Sequence, residues 1–342
     1  MAPTAPMARA VRWGVLGAAR IAVRHVLPAL RGSAGSSIHA IASRSAETAQ
    51  QLARSFEIPH AYPSYAQLLA DPQIDAVYIP LPNDLHALWT IRALEAGKHV
   101  LCEKPLAMNL EQARSIQAAA QRSGCLVAEG YMIRFHPQWH RVRQLIQAGE
   151  LGEVRAIQSY FAYDNPPGDN LRNLVGHGGG ALYDIGGYAI VAARYVFAAD
   201  PQRAIAALHR EPAHGVDRLA SALVCFGGGR QLSLVCATML PRAQSLVIHG
   251  SRARLTVETP FNPARERACR LLLDDGRDLD GGGLRVERIA PADQYQLQCE
   301  AFARAVLDGG GYRYGIEDAM VNVGTTEALF RSEQSGCWEP LS

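Results

Sequence analysis

The sequence has 342 residues, of which 34 are Lys or Arg and 32 are Asp or Glu, giving a net charge of +2. A chain of this length exceeds what one hydrophobic core usually supports, so two domains are expected. The basic residues are spread along the chain without a run, which argues against a nucleic-acid partner.

Seven cysteines are present, an odd number with no Cys-x-x-Cys pair, so neither a disulfide framework nor a zinc site is expected. No His/Cys/Asp cluster has the spacing of metal ligands, and no metal is predicted. The first residues lack the pattern of a secretory signal, and no apolar run of about 18 residues predicts a membrane span. Reduced thiols then favour a cytoplasmic protein.

The first half of the chain alternates short apolar strands with helical segments. Strands are predicted at residues 11–16, 38–43, 76–79, 99–102 and 126–129, and helices at 20–30, 46–56, 65–70, 85–96 and 110–122. This alternation predicts an α/β domain with a doubly wound parallel sheet. We assign residues 1–130 to a dinucleotide-binding domain of the Rossmann type.

A loop after the first strand carries the cofactor signal. It occupies the place of the G-x-G-x-x-[GA] fingerprint, although Ala19 replaces the middle glycine, so the motif alone is weak. Its position between a strand and a helix strengthens the assignment. The residues predicted to line the cofactor here are Gly17, Ala18, Ala19, Arg20 and Ile21.

The residues after the second strand predict which dinucleotide binds. An acidic residue at this place would bind the ribose of NAD. The chain has Ser43 and Arg44 instead, a hydroxyl and a guanidinium that suit a 2′-phosphate. NADP is therefore predicted, with NAD as the alternative; a solvated surface arginine is the other interpretation of Arg44.

The second half has a different pattern. Strands are predicted at 154–163, 204–209, 219–226, 231–239, 245–249, 254–258 and 270–274, and helices at 292–307 and 316–334. We assign residues 131–342 to an α+β domain with a large open, mostly antiparallel sheet that binds substrate and mediates oligomerisation. Helices cover one face only, and a bare sheet face would aggregate. A homodimer or homotetramer formed through that face is the simplest solution.

Two further segments carry chemistry. Lys104 follows a buried strand, where ligands bind in open α/β sheets. Asp184 and Tyr188 are four residues apart and share a face if the segment is helical. Beside a nicotinamide these three groups form a hydride-transfer site. Each also has a structural interpretation: a surface lysine, a helix cap and a core aromatic.

These motifs together resemble the glucose–fructose oxidoreductase/inositol dehydrogenase (Gfo/Idh/MocA) family of NAD(P)-dependent oxidoreductases. The similarity covers roughly residues 10 to 335, and it is closest to the sugar dehydrogenase and dihydrodiol dehydrogenase branch. The motifs that carry it are Gly17–Ala22, Pro82-Asn83-Asp84-Leu85-His86, Glu103-Lys104-Pro105 and Asp184-Ile185-Gly186-Gly187-Tyr188.

The resemblance implies cofactor contacts for Pro82, Asn83, His86, Glu103 and Lys104, although His86 also fits a packed helix residue. It implies that the Lys104–Pro105 bond is cis, that Lys104 lies near the nicotinamide, and that Asp184 contacts substrate.

The loop near Pro166–Asn170 supplies the remaining substrate candidates. They are Asn170, Arg172 and His177; for Arg172 a salt bridge within the loop is an equal alternative.

The chemistry then follows. Removing hydride from a carbinol carbon requires a base at its hydroxyl. Tyr188 is assigned as acid/base, Lys104 as electrostatic stabiliser and Asp184 as orienter, with the proton-transfer roles of Lys104 and Tyr188 interchangeable.

The function expected is NADP-dependent hydride transfer to or from a sugar or cyclic polyol. A keto-sugar reductase of deoxysugar biosynthesis and a non-catalytic dinucleotide-binding regulator stay open as alternatives.

Overall fold

A computed structural model describes residues 9–166, 168 and 170–341. The expectations for residues 1–8, and for Pro167 and Asp169 in the substrate loop, lie outside the described residues. The chain forms two compact units: one contains the residues up to Met132 together with Tyr295–Met320, and the other contains Ile133–Gln294 and the residues from Val321 on. The expected boundary near residue 130 treated each domain as continuous, whereas Tyr295–Met320 returns to the first unit.

The first unit is built on a parallel sheet. Its strands lie in the order β3-β2-β1-β4-β5-β6, and all neighbours are parallel. They are β1 (Val11–Leu16), β2 (Ser36–Ala42), β3 (His60–Tyr62), β4 (Ala76–Ile79), β5 (His99–Cys102) and β6 (Val127–Glu129). This is the strand order of the Rossmann fold, which confirms the prediction; β3 is an addition to it.

The helices of this unit begin where the sequence provides a capping side chain. They are α1 (Leu27–Gly32), α2 (Ala46–Ser55), α3 (Tyr65–Leu69), α4 (Asn83–Glu95) and α5 (Leu110–Ser123). Ser45, Ser64 and Asn109 accept hydrogen bonds from backbone N–H groups in the first turns of α2, α3 and α5. Buried apolar side chains of the sheet, among them Trp13, pack with Phe302 of α8 (Gln294–Asp308).

The second unit contains a larger sheet, in the order β14-β13-β12-β11-β7-β10-β9-β8-β15. Its strands are β7 (Val154–Asp164), β8 (Pro201–Arg210), β9 (Asp217–Phe226), β10 (Gln231–Ala237), β11 (Met239–Gly250), β12 (Arg254–Val257), β13 (Cys269–Asp274), β14 (Leu284–Ile289) and β15 (Glu339–Pro340). Within the described residues only β7 and β10 pair in parallel. The predicted mostly antiparallel sheet is confirmed.

One face of this sheet is covered by a helix that carries two predicted site residues. The helix starts with a π-helical turn, Leu182–Gly186, and continues as α7 (Gly187–Phe197). Its turns pack on buried side chains of the sheet such as Phe161. Two further helices of the chain are α6 (Pro137–Gln147) and α9 (Ile316–Ser335).

The opposite face of the sheet is open. Its central strands line a groove of about 640 Å³ with small and apolar side chains, including Tyr160, Val235 and Val247. Leu223 in this groove is 42% exposed. In the described ranges, no helix is both long and apolar enough to cross a bilayer.

Candidate active site

The crevice of the first unit lies at the carboxyl ends of β1 and β4. Both strands pair here, and the chain leaves β1 toward β2 on the other side, so this is the topological switch point at which such sheets bind ligands. Gly17 has φ of 120°, and a Cβ on it would lie 3.0 Å from the Leu81 side chain in the loop after β4. The glycine therefore lets the two loops approach closely.

The loop residues predicted for the cofactor sit at this crevice. Ala18 and Ala19 are half-buried, Arg20 is exposed and Ile21 is half-buried at the start of the helical segment. A π-helical turn, Ala22–Val26, follows before α1. The predicted helix at residues 20–30 is thus present but irregular, and π turns occur often at functional sites.

The residues after β2 are arranged for an anion. Arg44 is exposed, and Ser43 is buried. The Ser43 Oγ accepts from Ser45 N at 3.3 Å, which leaves its O–H available to donate. The Arg44 charge opposes the burial that raises the pKa of Tyr65, so the guanidinium lies near that phenol. No carboxylate occupies residues 43–46, where a ribose-binding acid would lie.

The turn that carries Lys104 is held on several sides. The Tyr78 hydroxyl donates to Glu103 at 2.8 Å, and Leu106 N donates to the buried Glu129 at 2.9 Å. Burial raises the pKa of Tyr78 well above its ordinary value, so this phenol stays a donor. Lys104 itself is half-buried, and the Lys104–Pro105 bond is cis, as the resemblance implied.

His86 is a second support of the same turn. Its ring is fully buried, with Nδ1 2.7 Å from the Pro105 carbonyl oxygen and Nε2 2.7 Å from the Leu81 carbonyl oxygen. Burial lowers its pKa, while the two carbonyls oppose that shift. The ring therefore links the ends of β4 and β5. This placement supports the packed-residue interpretation of His86, and Pro82 and Asn83 directly precede it at the start of α4.

In the second unit, Asp184 lies in the π-helical turn and has two side-chain partners. The Tyr163 hydroxyl donates to Asp184 Oδ2, and Arg172 Nε donates to Oδ1 at 3.2 Å. Burial, followed by the Asp184 charge, raises the pKa of Tyr163 far above its ordinary value. The phenol is thus a permanent donor, and Asp184 is not a helix cap. The salt-bridge alternative for Arg172 is the one observed.

Tyr188 lies one turn further along the helix. Its ring is 6% exposed and packs edge-on against Phe161, with centroids 5.6 Å apart, and against Phe261 at 5.5 Å. The π turn and α7 are continuous, so Asp184 and Tyr188 belong to one helical segment, as predicted.

The other substrate candidates lie in the loop before this helix. Asn170 caps a short 3-10 turn by accepting from Arg172 N, and its amide donates to Asn165. His177 ends the next 3-10 turn and is half-buried. The Asn170 side chain is therefore engaged in shaping the loop, which leaves Arg172 and His177 as the better-placed contacts.

Two residues of this region were missed by sequence reasoning, Tyr163 and Asp217. Tyr163 appeared as an ordinary strand residue, although its neighbour in the sheet order carries the helix that bears Asp184. Asp217 is 1% exposed and accepts from Leu182 N at 2.7 Å. A lone buried acid at the start of a predicted strand was the available signal.

Metal ligands are not gathered anywhere in the described ranges, where no three His, Cys, Asp or Glu side chains form such a group. All seven cysteines lie within these ranges and are free thiols.

Comparison with known families decides the class of the chain. Residues 11–131 match the model of an oxidoreductase family with an NAD-binding Rossmann fold, GFO_IDH_MocA, and residues 139–256 match the GFO/IDH/MocA C-terminal domain. The chain belongs to the GFO/IDH/MocA family of oxidoreductases. The predicted family is therefore confirmed, and with it the assignment to an oxidoreductase class.

Relatives within the GFO/IDH/MocA family are similar over nearly the whole chain. "Uncharacterized oxidoreductase ORF334" of Rhizobium meliloti is 45% identical, covering 97% of this chain and 99% of that protein. D-xylose 1-dehydrogenase (NADP(+)) 2 of Haloferax volcanii is 36% identical over 95% of this chain and 98% of its own. The crystal structure of KijD10, a 3-ketoreductase from Actinomadura kijaniata in complex with NADP and TDP-benzene, superimposes with a TM-score of 0.89 at 33% identity, covering 95% of this chain and 98% of that chain.

Proposed function

We propose that this protein is an NADP-dependent oxidoreductase that transfers hydride between the nicotinamide and a carbon of a sugar or cyclic polyol, in the manner of an aldose 1-dehydrogenase. The observation that carries the proposal is the near full-length similarity to a relative named as an NADP-dependent xylose dehydrogenase and to a 3-ketoreductase solved with NADP. Residues 1–130 supply the cofactor site, and residues 131–342 supply the substrate site and the oligomer interface.

The crevice at the ends of β1 and β4 fits the cofactor. Gly17 keeps the backbone close to the loop after β4, and the first N–H groups of the following helix suit a pyrophosphate. The exposed Arg44 and the Ser43 hydroxyl suit the 2′-phosphate that distinguishes NADP from NAD. When bound, the nicotinamide supplies or accepts the hydride.

The residues of the chain then handle the proton and the charge. Tyr188 takes the proton from the substrate hydroxyl in oxidation and returns it in reduction. The Lys104 ammonium stabilises negative charge on the same oxygen. Asp184, held by Tyr163, accepts a hydrogen bond from a neighbouring hydroxyl of the substrate and fixes the ring's orientation. Arg172 and His177 complete the substrate contacts.

A keto-sugar reductase is the second candidate, because the solved relative is a 3-ketoreductase. The same residues serve both directions, since the reverse of each proton transfer uses the same atoms. A panel separates them: aldoses with NADP, followed as reduced-nicotinamide absorbance, against nucleotide-linked 3-keto sugars with NADPH. Turnover of free aldoses supports the dehydrogenase, and turnover of the nucleotide-linked substrate alone supports the reductase.

The catalytic assignment is tested by Tyr188→Phe, which removes only the hydroxyl. We expect kcat to fall at least 100-fold, which is the range that general acid–base catalysis contributes. Tyr195→Phe is the matched control, because Tyr195 is a buried tyrosine of the same helix whose ring packs on Trp139. Near wild-type turnover in Tyr188→Phe would overturn the assignment, and a protein that binds NADP but turns over no substrate would favour the regulator.

A homo-oligomer through the open sheet face is also proposed. The groove lined by Tyr160, Leu223 and Val247 exposes apolar area that a second copy of the chain would cover. Leu223→Asp places a charge there and is expected to give monomers in light scattering, while a wild-type monomer at micromolar concentration would refute the proposal. The free thiols support a cytoplasmic location for this enzyme.

A further inference from the structure

The helical segment that bears Asp184 and Tyr188 starts without a capping side chain of its own. The residue before it is Gly180, so the first N–H groups of the segment have no local side-chain acceptor. Asp217, at the start of β9, provides the acceptor instead. Its carboxylate accepts from Leu182 N at 2.7 Å and also from Ala181 N. The cap therefore comes from a strand 35 residues further along the chain.

The glycines of the preceding loop make this contact possible. A Cβ at Gly180, whose φ is 113°, would lie 2.0 Å from Asp217 Oδ1. A Cβ at Gly179 would lie 2.4 Å from the Arg172 carbonyl oxygen. The loop thus presses the start of the helix against β9, and no larger residue fits at either position without moving one of them.

A β-bulge directs Asp217 toward the helix. In the pairing of β8 with β9, His209 lies opposite Leu219 and Arg210 opposite Asp217, so one strand has an extra residue. Bulges re-aim side chains and occur often beside active sites. The adjacent Arg218 also points inward, because it is 4% exposed and donates to the Thr238 carbonyl at 2.6 Å.

The carboxylate is held at a cost. Burial raises the pKa of Asp217 to about 6, although the N–H groups of Leu182 and Ala181 and the charge of Arg210 act in the opposite direction. The other titratable groups facing it are Tyr183 of the helix and Cys236 of β10, and burial raises the pKa of both. A buried carboxylate that stability alone would not favour is typical of a functional position.

We infer that Asp217 is a positioning residue: its ionised carboxylate fixes the first turn of the helix and thereby the placement of Asp184 and Tyr188 for reaction. This inference rests on the proposed function, since the reaction is the one assigned to Asp184 and Tyr188. Protonation of Asp217 removes the charge-assisted part of the cap. The helix start then loosens, and turnover falls on the acid side of neutrality.

The test compares Asp217→Asn with the wild type and with Asp274→Asn as a matched control. Asp274 is likewise buried, lies in β13 of the same sheet, and accepts from Gly276 N. The first readout is hydrogen exchange of residues 178–190 in the protein without substrate. We expect at least tenfold faster exchange there in Asp217→Asn and no change in Asp274→Asn.

The second readout is kcat against pH with the sugar panel and NADP. The wild type is expected to lose kcat with a midpoint near pH 6, whereas Asp217→Asn has about tenfold lower kcat at pH 8, no acid limb with that midpoint, and an NADP KM within twofold of wild type. A purely structural role would lower the active fraction equally at every pH. Unchanged exchange in the 178–190 segment, or an acid limb retained by Asp217→Asn, overturns the inference.

The two readouts keep the inference separate from the proposed function. The exchange experiment needs no substrate, so it decides on the cap even if the panel finds no turnover. If Asp217→Asn does not fold, wild-type exchange at pH 5 and pH 7, corrected for intrinsic rates, takes its place. Protection of the 178–190 segment that is the same at both pH values would then overturn the inference.

Discussion

Removal of one hydroxyl, Tyr163→Phe, tests how Asp184 is held. The Tyr163 phenol donates to Asp184 Oδ2, while Arg172 donates to Oδ1. The two partners differ in exposure, because the Asp184 side chain is 13% exposed and that of Arg172 is 54% exposed. The buried phenol and the solvated guanidinium are therefore expected to contribute very differently.

The magnitudes follow from that difference. A hydrogen bond to a charged group contributes about 1.5–3 kcal/mol, so losing the Tyr163 hydroxyl should lower kcat/KM roughly 10- to 100-fold if Asp184 orients the substrate. A solvent-exposed ion pair contributes about 0–1 kcal/mol, so Arg172→Ala should cost less than roughly fivefold through Asp184. Because the pKa of Tyr163 is raised, the phenol stays protonated, and its effect should not vary between pH 6 and about 9.

The assay is steady-state kinetics of Tyr163→Phe and Arg172→Ala with the best sugar of the panel and saturating NADP, over that pH range. Tyr195→Phe is again the control for removing a hydroxyl from this unit. The reasoning is refuted if Tyr163→Phe stays within twofold of the wild type, or if Arg172→Ala is the more damaging change.

Three further predictions concern other parts of the chain. Arg44→Ala should lower kcat/KM with NADP by roughly 10- to 100-fold through loss of charge-assisted bonds, and NAD kinetics in the same variant should be unchanged; equal loss with both cofactors would contradict the assigned role. His86→Leu should lower the free energy of unfolding by roughly 2–4 kcal/mol, because two buried carbonyls lose their donor, as urea titration will measure; a loss under 1 kcal/mol would contradict it. For Asp217 the folded pKa of about 6 exceeds the unfolded value of 3.8, so only the folded state holds this proton between those values and its contribution to stability falls as pH rises from about 4 to 6. Asp217→Asn should remove that contribution, roughly 3 kcal/mol, and its urea midpoints at pH 4.5 and 7.5 should differ less in this sense than those of the wild type.

Much of the first unit could be predicted from the sequence because its strands are buried on both faces. Such strands are short apolar runs between turn residues, and Ala76–Ile79 and His99–Cys102 form at the predicted residues. The strands that were missed are edge or near-edge strands: His60–Tyr62, Leu284–Ile289 and Glu339–Pro340. They are short or polar, so pairing to a neighbour decides their structure more than their own composition does.

Helix α6 was also missed, although its signal was present. Pro137 stands at its first position, and the buried Trp139, Val142 and Leu145 recur every three residues. The π-helical turns are a different case, because nothing in the periodicity of residues 22–26 or 182–186 distinguishes them from an α-helix.

For the site, local motifs identified the residues proposed to react but not those that hold them. Lys104, Asp184 and Tyr188 lie in short motifs whose spacing can be recognised in one dimension. Tyr163 and Asp217 act through contacts across the sheet, over 21 and 35 residues of sequence separation. Such contacts depend on strand order and on a bulge, and neither is encoded in the residues around Tyr163 or Asp217.

The supporting residues also distinguish an enzyme from a dinucleotide-binding regulator. A regulator needs the cofactor crevice, but it has no use for a buried carboxylate at Asp217 that lowers stability at neutral pH by roughly 3 kcal/mol. It likewise has no need of a tyrosine that fixes one oxygen of Asp184. Groups that destabilise the fold while restraining a particular side chain are expected where a reacting geometry must be held before substrate arrives. The second unit contains two of them around one helix start, which favours catalysis over binding alone.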